Sequence, residues 1–113
     1  LAWHVGHIIV SQQGLIYRLS GLPMNISPEM MEKYKNGSKP TATTQEEINE
    51  LKVLLFSLLE KTKEDYANGK FTSYNEFTTG TGFHLANIKD AMEFNNYHEG
   101  IHLGFMMNIR KFI

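Results

Sequence analysis

The sequence predicts an all-α protein, with residues 1–113 forming a single helical-bundle domain. Apolar residues recur at three- and four-residue steps over three long stretches, which is the period of an amphipathic helix. Glycine, proline and asparagine cluster between these stretches, where helices end. The length of 113 residues, with 42% hydrophobic and 20% charged residues, is ordinary for one globular domain with a core.

Composition excludes several kinds of site and partner. The chain has no cysteine, so disulfides, thiolate metal ligands and cysteine nucleophiles are excluded. Its formal net charge of −1 gives no indication of binding to nucleic acid or to an anionic membrane surface. No apolar run approaches the roughly 18 residues of a membrane helix. We therefore expect a cytoplasmic protein without a nucleic-acid or membrane partner.

The first predicted helix covers residues 1–19 and is followed by a long connection, residues 20–43. Glycine and proline in the segment Ser20-Gly21-Leu22-Pro23 are stop signals. Within the connection, Ser27 before Pro28 is typical of an N-cap and a first helical position, so we expect a short helix to about residue 35. A connection of this length favours a four-helix arrangement with a crossover.

The second long helix is predicted at residues 44–68. The segment Thr44-Gln45-Glu46-Glu47 fits a capping box, and Asn68-Gly69 is a stop signal. No residue of this helix indicates a chemical role. The following residues, 70–86, are rich in threonine, glycine and aromatic side chains, and a packed loop is favoured there over short paired strands.

The last helix, predicted at residues 87–112, carries two histidines on its apolar stripe. That stripe consists of Ala91, Phe94, His98, Ile101, His102, Phe105, Ile109 and Phe112. His98 and His102 are four residues apart, so they share one face in adjacent turns. Buried imidazoles need polar partners. A shared metal ion would satisfy both.

A third histidine, His7, lies on the apolar stripe of the first helix. Three neutral imidazoles from two helices suit zinc, nickel, copper or ferrous iron better than calcium or magnesium. Of the two remaining histidines, His84 is predicted to be structural and His4 to be structural or exposed.

The segment from His98 to His102 also matches H-E-x-x-H, the zinc-protease signature in which the glutamate is the general base. The longer protease pattern requires glycine and histidine where Phe105 and Asn108 stand. In a thermolysin-like site the third ligand is a glutamate from a later helix, and no carboxylate follows His102. A protease is therefore disfavoured, the third ligand must come from upstream, and His7 is the best-placed candidate.

The segments Trp3-His4-Val5-Gly6-His7-Ile8 and Tyr97-His98-Glu99-Gly100-Ile101-His102-Leu103-Gly104 together resemble the DinB-like (damage-inducible) superfamily. The resemblance implies a bacterial four-helix bundle with a three-histidine metal site, and the matching ligands are His7, His98 and His102. It also implies that the first bundle helix precedes Leu1, in roughly 25–40 further residues. Without that helix, Trp3, Val10, Leu55 or their neighbours would expose a large apolar face. A second subunit could cover the same face, so we also expect a homodimer.

The function that the resemblance implies is that of a metal-dependent hydrolase, or of a transferase that uses a low-molecular-weight thiol on a small-molecule substrate. Three protein ligands leave a coordination position open, as in catalytic zinc sites, and water bound there has a lowered pKa. Glu99 would orient a histidine or act as a base, and the orienting role is favoured. The alternative is a non-catalytic metal- or ligand-binding module of a stress response.

Overall fold

A computed structural model gives the structure of residues 2–110, which are mostly helical. The first helix, α1, continues without a break into a π-helical turn and a 3₁₀-helical turn. Two very short strands lie between the last two helices. In chain order the elements are α1 (Ala2–Gln12), the π-helical turn (Gln13–Tyr17), the 3₁₀ turn (Arg18–Ser20), α2 (Pro28–Tyr34), α3 (Gln45–Ala67), β1 (Phe77–Thr78), β2 (His84–Leu85) and α4 (Ile88–Arg110).

The helix positions confirm the sequence predictions within the described residues. Leu1 and residues 111–113, on which parts of two predicted helices fall, lie outside them. Ser27 accepts a hydrogen bond from the Met30 amide at 3.2 Å, and Thr44 accepts one from the Glu47 amide at 3.2 Å. The Glu47 carboxylate binds Lys33, which ties the start of α3 to α2. The fuller four-helix bundle, with a further upstream helix, stays a prediction.

The segment between α3 and α4 corrects the prediction of a packed loop. β1 and β2 pair antiparallel, with Phe77 opposite Leu85. A turn closes the hairpin: the Gly82 amide donates to the Thr79 carbonyl at 2.9 Å, and Gly82 has a φ of 93°. Glycine adopts this φ without steric cost. A strand of two residues is too short to show an alternating pattern of apolar and polar residues in the sequence.

The core is built around α1, which packs against α2, α3 and α4. Its main buried cluster is Ile9, Val10, Tyr34, Leu51 and Leu58. The cluster draws on α1, α2 and α3, so the short α2 is an integral part of the core. Val10 is only 2% exposed. Of the three residues expected on an uncovered apolar face, Val10 therefore lies in the core instead.

The buried face of α4 is narrower than the predicted stripe. Ala91, Asn95 and His102 are buried, whereas Ile101 and Phe105 are 38% and 52% exposed. The reason is that α4 packs on one side only, against α1, the π-helical turn and β2. A helix that packs on one side only buries a narrow strip of its surface.

Several large apolar side chains remain exposed on the two longest helices. Among them are Val53 and Phe56 on α3, and Leu103 and Met107 on α4. The expected homodimer, or a further helix that covers such side chains, stays a prediction. Within the described residues, no helix combines the length and the hydropathy that a membrane span requires.

A buried carboxylate, Asp65, joins the end of the first helical segment to α3. Asp65 is 2% exposed, accepts a hydrogen bond from the Tyr17 hydroxyl and forms ion pairs with Lys61 and Lys70 at 3.5 and 3.2 Å. The hydrogen bond from Tyr17 holds the pKa of Asp65 below its usual value. Burial, together with the bond to Asp65, raises the pKa of Tyr17 to about 12.

We expect Tyr17→Phe to destabilise the protein at pH 7 by about 1–3 kcal/mol, the usual cost of leaving a buried charged group without one partner. The lowered pKa of Asp65 contributes stability above its unfolded pKa of about 3.9, and that contribution is lost as pH falls through the folded-state pKa. Urea unfolding of wild type and of Tyr17→Phe, at pH 7 and at pH 3, measures the destabilisation and its dependence on pH. The difference between the proteins should shrink at pH 3; an equal difference at the two pH values would contradict a charge-dependent contribution.

Candidate metal centre

The structure brings together the three histidines that the sequence singled out as metal ligands. His7 projects from α1, and His98 and His102 project from α4. One ligand nitrogen from each lies within 4.8 Å of the other two. The Nε2 atoms of His98 and His102 are 3.2 Å apart. In a tetrahedral zinc site with bonds of about 2.0–2.1 Å, two nitrogens are separated by roughly 3.3 Å, so this pair already has the spacing of two ligands.

Contacts with two other residues fix the ring of His7. Its Nδ1 donates a hydrogen bond to the Tyr34 carbonyl at 2.8 Å, so the hydrogen is on Nδ1 and Nε2 keeps its lone pair. The Trp3 ring stacks on the imidazole with centroids 4.7 Å apart and an interplanar angle of 6°. A carbonyl that fixes the tautomer and orientation is the usual support of a ligating histidine. His7 is therefore held ready to bind through Nε2.

Because residue 6 is a glycine, the end of α2 can pack close enough to α1 for the Tyr34 carbonyl to reach His7. A Cβ atom at Gly6 would lie 2.4 Å from a ring carbon of Tyr34, so the aromatic ring packs directly on the backbone of α1. The same residue, Tyr34, supplies the carbonyl that holds His7. The long connection thus supports the site through α2, which the sequence reasoning missed. The glycine immediately before His7 was the available signal.

His4 also belongs to the cluster, although the sequence predicted that it would be structural or exposed. Its Nδ1 lies 2.8 Å from Nδ1 of His102. When Nε2 of His102 is the ligand, the hydrogen of that ring is on Nδ1 and is donated to His4. His4 then supports His102 as the Tyr34 carbonyl supports His7. His4 and His7 lie three residues apart on α1, and this spacing was the signal that could have shown it.

Burial favours the neutral form of three of the clustered imidazoles, those of His102, His98 and His4. It lowers the pKa of His102 to about 4, and the charges of His98, His7 and His4 act in the same direction. Burial likewise lowers the pKa of His98 and of His4. Neutral imidazoles have the lone pair that a metal ion requires. The candidate ligand group contains no carboxylate, which favours a transition metal over calcium or magnesium.

Glu99 lies on another side of α4. Its carboxylate accepts a hydrogen bond from Asn95 Nδ2 at 3.0 Å and lines an apolar pocket of about 230 Å³ beside Ile8 and Leu55. Burial raises the pKa of Glu99. Within residues 2–110 it forms no hydrogen bond to a histidine. Two buried atoms near it on α4, Asn95 Oδ1 and His98 Nδ1, have no hydrogen-bond partner in the same part of the chain.

The fifth histidine, His84, lies apart from the centre and is exposed on strand β2. Its Nε2 is 3.6 Å from the Glu76 carboxylate, and its Nδ1 is 3.2 Å from the Thr78 hydroxyl. Both contacts are local to the hairpin. The structure is thus consistent with the structural role that was predicted for His84.

A cavity of about 650 Å³ reaches the histidine cluster, with His7 and His98 in its wall. Apolar side chains form much of the lining, including Val10, Leu15, Met31, Phe77 and Phe94. The Ser11 hydroxyl, also in the wall, donates to Nε2 of His7 at 3.4 Å. A small molecule could therefore reach the ligand face of two of the three histidines.

We expect His4→Ala to weaken metal binding by about 10–100-fold, the usual effect of removing the partner of a ligating histidine. His4→Gln should recover part of the affinity, because its amide oxygen can accept the hydrogen from His102 Nδ1. Competition with a chromophoric chelator measures the affinity. Unchanged affinity in His4→Ala would show that the contact between the two histidines has no role in the site.

The chain matches the model of a known protein family. The family model described as the DinB superfamily matches residues 1–106, a range that includes His7, His98 and His102. No curated protein and no solved structure matches the chain.

Proposed function

The chain belongs to the DinB superfamily, and from that premise we propose that it is a metal-dependent enzyme acting on a small molecule. His7, His98 and His102 would hold one divalent transition metal, such as zinc, nickel or iron. The observation that carries the proposal is the convergence of three ligand nitrogens beside an open cavity, whose wall includes two of the three histidines, His7 and His98. Three ligands leave a coordination position for a substrate or for water.

Between the two reaction classes, the lining of the cavity favours transfer of a low-molecular-weight thiol over hydrolysis. Hydrolysis usually needs a side chain that activates water or protonates the leaving group. The one carboxylate among the described lining residues, Glu32, is 2.7 Å from Lys35 and is engaged in that ion pair. A divalent ion bound at the histidines would lower the pKa of water or deprotonate a bound thiol. A thiol, with an ordinary pKa of about 8.5, has less need of a side-chain base.

The other residues of the site would position and shield the reactants. The Tyr34 carbonyl and His4 would keep the rings of His7 and His102 in ligand orientation. Phe94 and Val10 would exclude water from the side of the cavity nearest the histidines. Exclusion of water strengthens the electrostatic interactions within a site.

The test is a thiol-transfer assay on protein purified without an affinity tag and loaded separately with zinc, nickel or ferrous iron. Cysteine, glutathione and coenzyme A would each be supplied with 1-chloro-2,4-dinitrobenzene as electrophile. We expect thiol consumption above the uncatalysed rate, lost on chelation and in His98→Ala. Ester hydrolysis without thiol transfer would overturn the choice of reaction. Full metal occupancy with no catalysis of either kind would favour a non-catalytic metal- or ligand-binding module.

We assign Glu99 an indirect role, in which it fixes the Asn95 amide and leaves Asn95 Oδ1 as an acceptor on the His98 side of α4. Glu99→Gln retains an oxygen that can accept from Asn95, so metal affinity should fall by less than the 10–100-fold typical of losing a ligand's partner. Glu99→Ala should weaken binding more. Chelator competition and the thiol-transfer rate measure both variants. A Glu99→Gln protein with full metal occupancy and no activity would instead identify Glu99 as the base.

A further inference from the structure

The cavity at the metal centre contains one cation whose charge is not balanced. Arg18 lies in its wall, is exposed, and forms no ion pair within residues 2–110. The other cation in the lining, Lys35, is neutralised by its ion pair with Glu32 at 2.7 Å. The charged side chains of the lining therefore leave a net positive charge, and that charge is the guanidinium of Arg18.

The Arg18 side chain folds back along the helix toward the metal centre. A Cβ atom built on Gly14 would lie 3.5 Å from Nη2 of Arg18, so the guanidinium lies over this glycine. Gly14 follows His7 by seven residues, and at a rise of about 1.5 Å per residue the two levels are about 10 Å apart along the helix. The cation and the histidines thus occupy separate positions in the same cavity.

The lining next to these two positions is apolar. Val10 and Leu15 line it from the first helical segment, Met31 from α2, and Phe94 from α4. A ligand that fits would have a metal-binding group at one end, an apolar middle and a negative group at the other end. Each part would meet a surface of matching chemistry.

We propose that this cavity binds organic carboxylates, with Arg18 holding the carboxylate while the opposite end of the molecule reaches the metal held by His7, His98 and His102. The inference rests on the proposed function and names its substrate class. A guanidinium binds a carboxylate through two parallel hydrogen bonds. A phosphate dianion would call for a second free cation, and Lys35 is already occupied by Glu32.

The experiment uses two hydroxamate probes of equal length on the cobalt-loaded protein. Suberic acid monohydroxamate has a carboxylate at its far end, and octanohydroxamate has a methyl group there. Binding of either probe to the metal changes the visible spectrum of cobalt, which gives a Kd. Arg18→Met removes the cation, Arg18→Lys keeps a charge, and Lys52→Met removes an exposed charge from α3 as a control.

Arg18→Met should weaken binding of the carboxylate probe about tenfold or more, as expected for the loss of a charge-assisted bidentate contact. Its affinity for octanohydroxamate should stay within about twofold of wild type. Arg18→Lys should recover part of the loss, and Lys52→Met should match wild type with both probes. Equal changes for the two probes in Arg18→Met, or no change for either, would overturn the carboxylate site and leave the metal centre standing. If neither probe alters the cobalt spectrum of wild type, the open metal site and the carboxylate site are both overturned.

Discussion

Replacing His98 by alanine is expected to abolish stoichiometric metal binding and to lower the melting temperature of the metal-loaded protein. Only two of the three converging nitrogens would remain. A metal at one hundred to one thousand times its Kd stabilises the native state by about 2.7–4.1 kcal/mol. For a domain of this size the loss corresponds to a fall on the order of 10 °C. The first readout is the metal content of the protein after dialysis against metal. The second is the melting temperature, measured with and without metal.

The matched control is His84→Ala, which removes the exposed histidine of the hairpin. Within residues 2–110, the polar contacts of its side chain are with Glu76 and Thr78. Metal content and the metal-dependent rise in melting temperature should equal those of wild type. Equal metal content in His98→Ala and in wild type would contradict the assignment of the ligands.

The second large effect is expected from Gly6→Ala. On helix propensity alone, alanine in place of a helical glycine would stabilise the protein by about 1 kcal/mol. The new Cβ would instead meet three carbons of the Tyr34 ring at 2.4–2.7 Å. Relieving such a clash in a packed core typically costs about 1–3 kcal/mol. Because Tyr34 also holds His7, displacing it should weaken metal binding as well.

Gly104→Ala is the control for this substitution, because a Cβ at Gly104 on α4 meets no atom within 4 Å. It should be neutral or stabilising and leave metal affinity unchanged. Urea unfolding and chelator competition separate the two variants. Adding Tyr34→Ala to Gly6→Ala should cost less than the sum of the single changes, since the clash is then already absent. Strict additivity would mean that the two residues do not interact.

The sequence predicted what depends on geometry within one helix. The period of the apolar residues located the long helices, and a spacing of four residues placed His98 and His102 on one face. It could not predict what depends on how helices pack against each other. The contact between His4 and His102 joins residues 98 positions apart, and the spacing of His4 and His7 on α1 does not show which residue of α4 His4 contacts.

The sequence could not predict the role of Glu99 for the same reason. The residue follows a ligand by one position, so it points about 100° away from His98 around the helix axis. Whether that direction faces the metal, a neighbouring helix or solvent depends on how α4 is rotated against α1. The structure turns Glu99 toward Asn95 and the apolar pocket beside Ile8. The buried face of α4 was likewise predicted too wide, because the sequence does not show that α4 packs on one side only.

The most direct test of the metal centre is a crystal structure of the zinc-loaded protein, with diffraction data collected on both sides of the zinc absorption edge. The structure described above predicts one anomalous peak per chain, bonded at about 2.0–2.1 Å to Nε2 of His7, His98 and His102. Nδ1 of His7 should still donate to the Tyr34 carbonyl. An ordered structure from zinc-supplemented buffer with no peak between these three imidazoles, or with the rings pointing apart, would contradict the account.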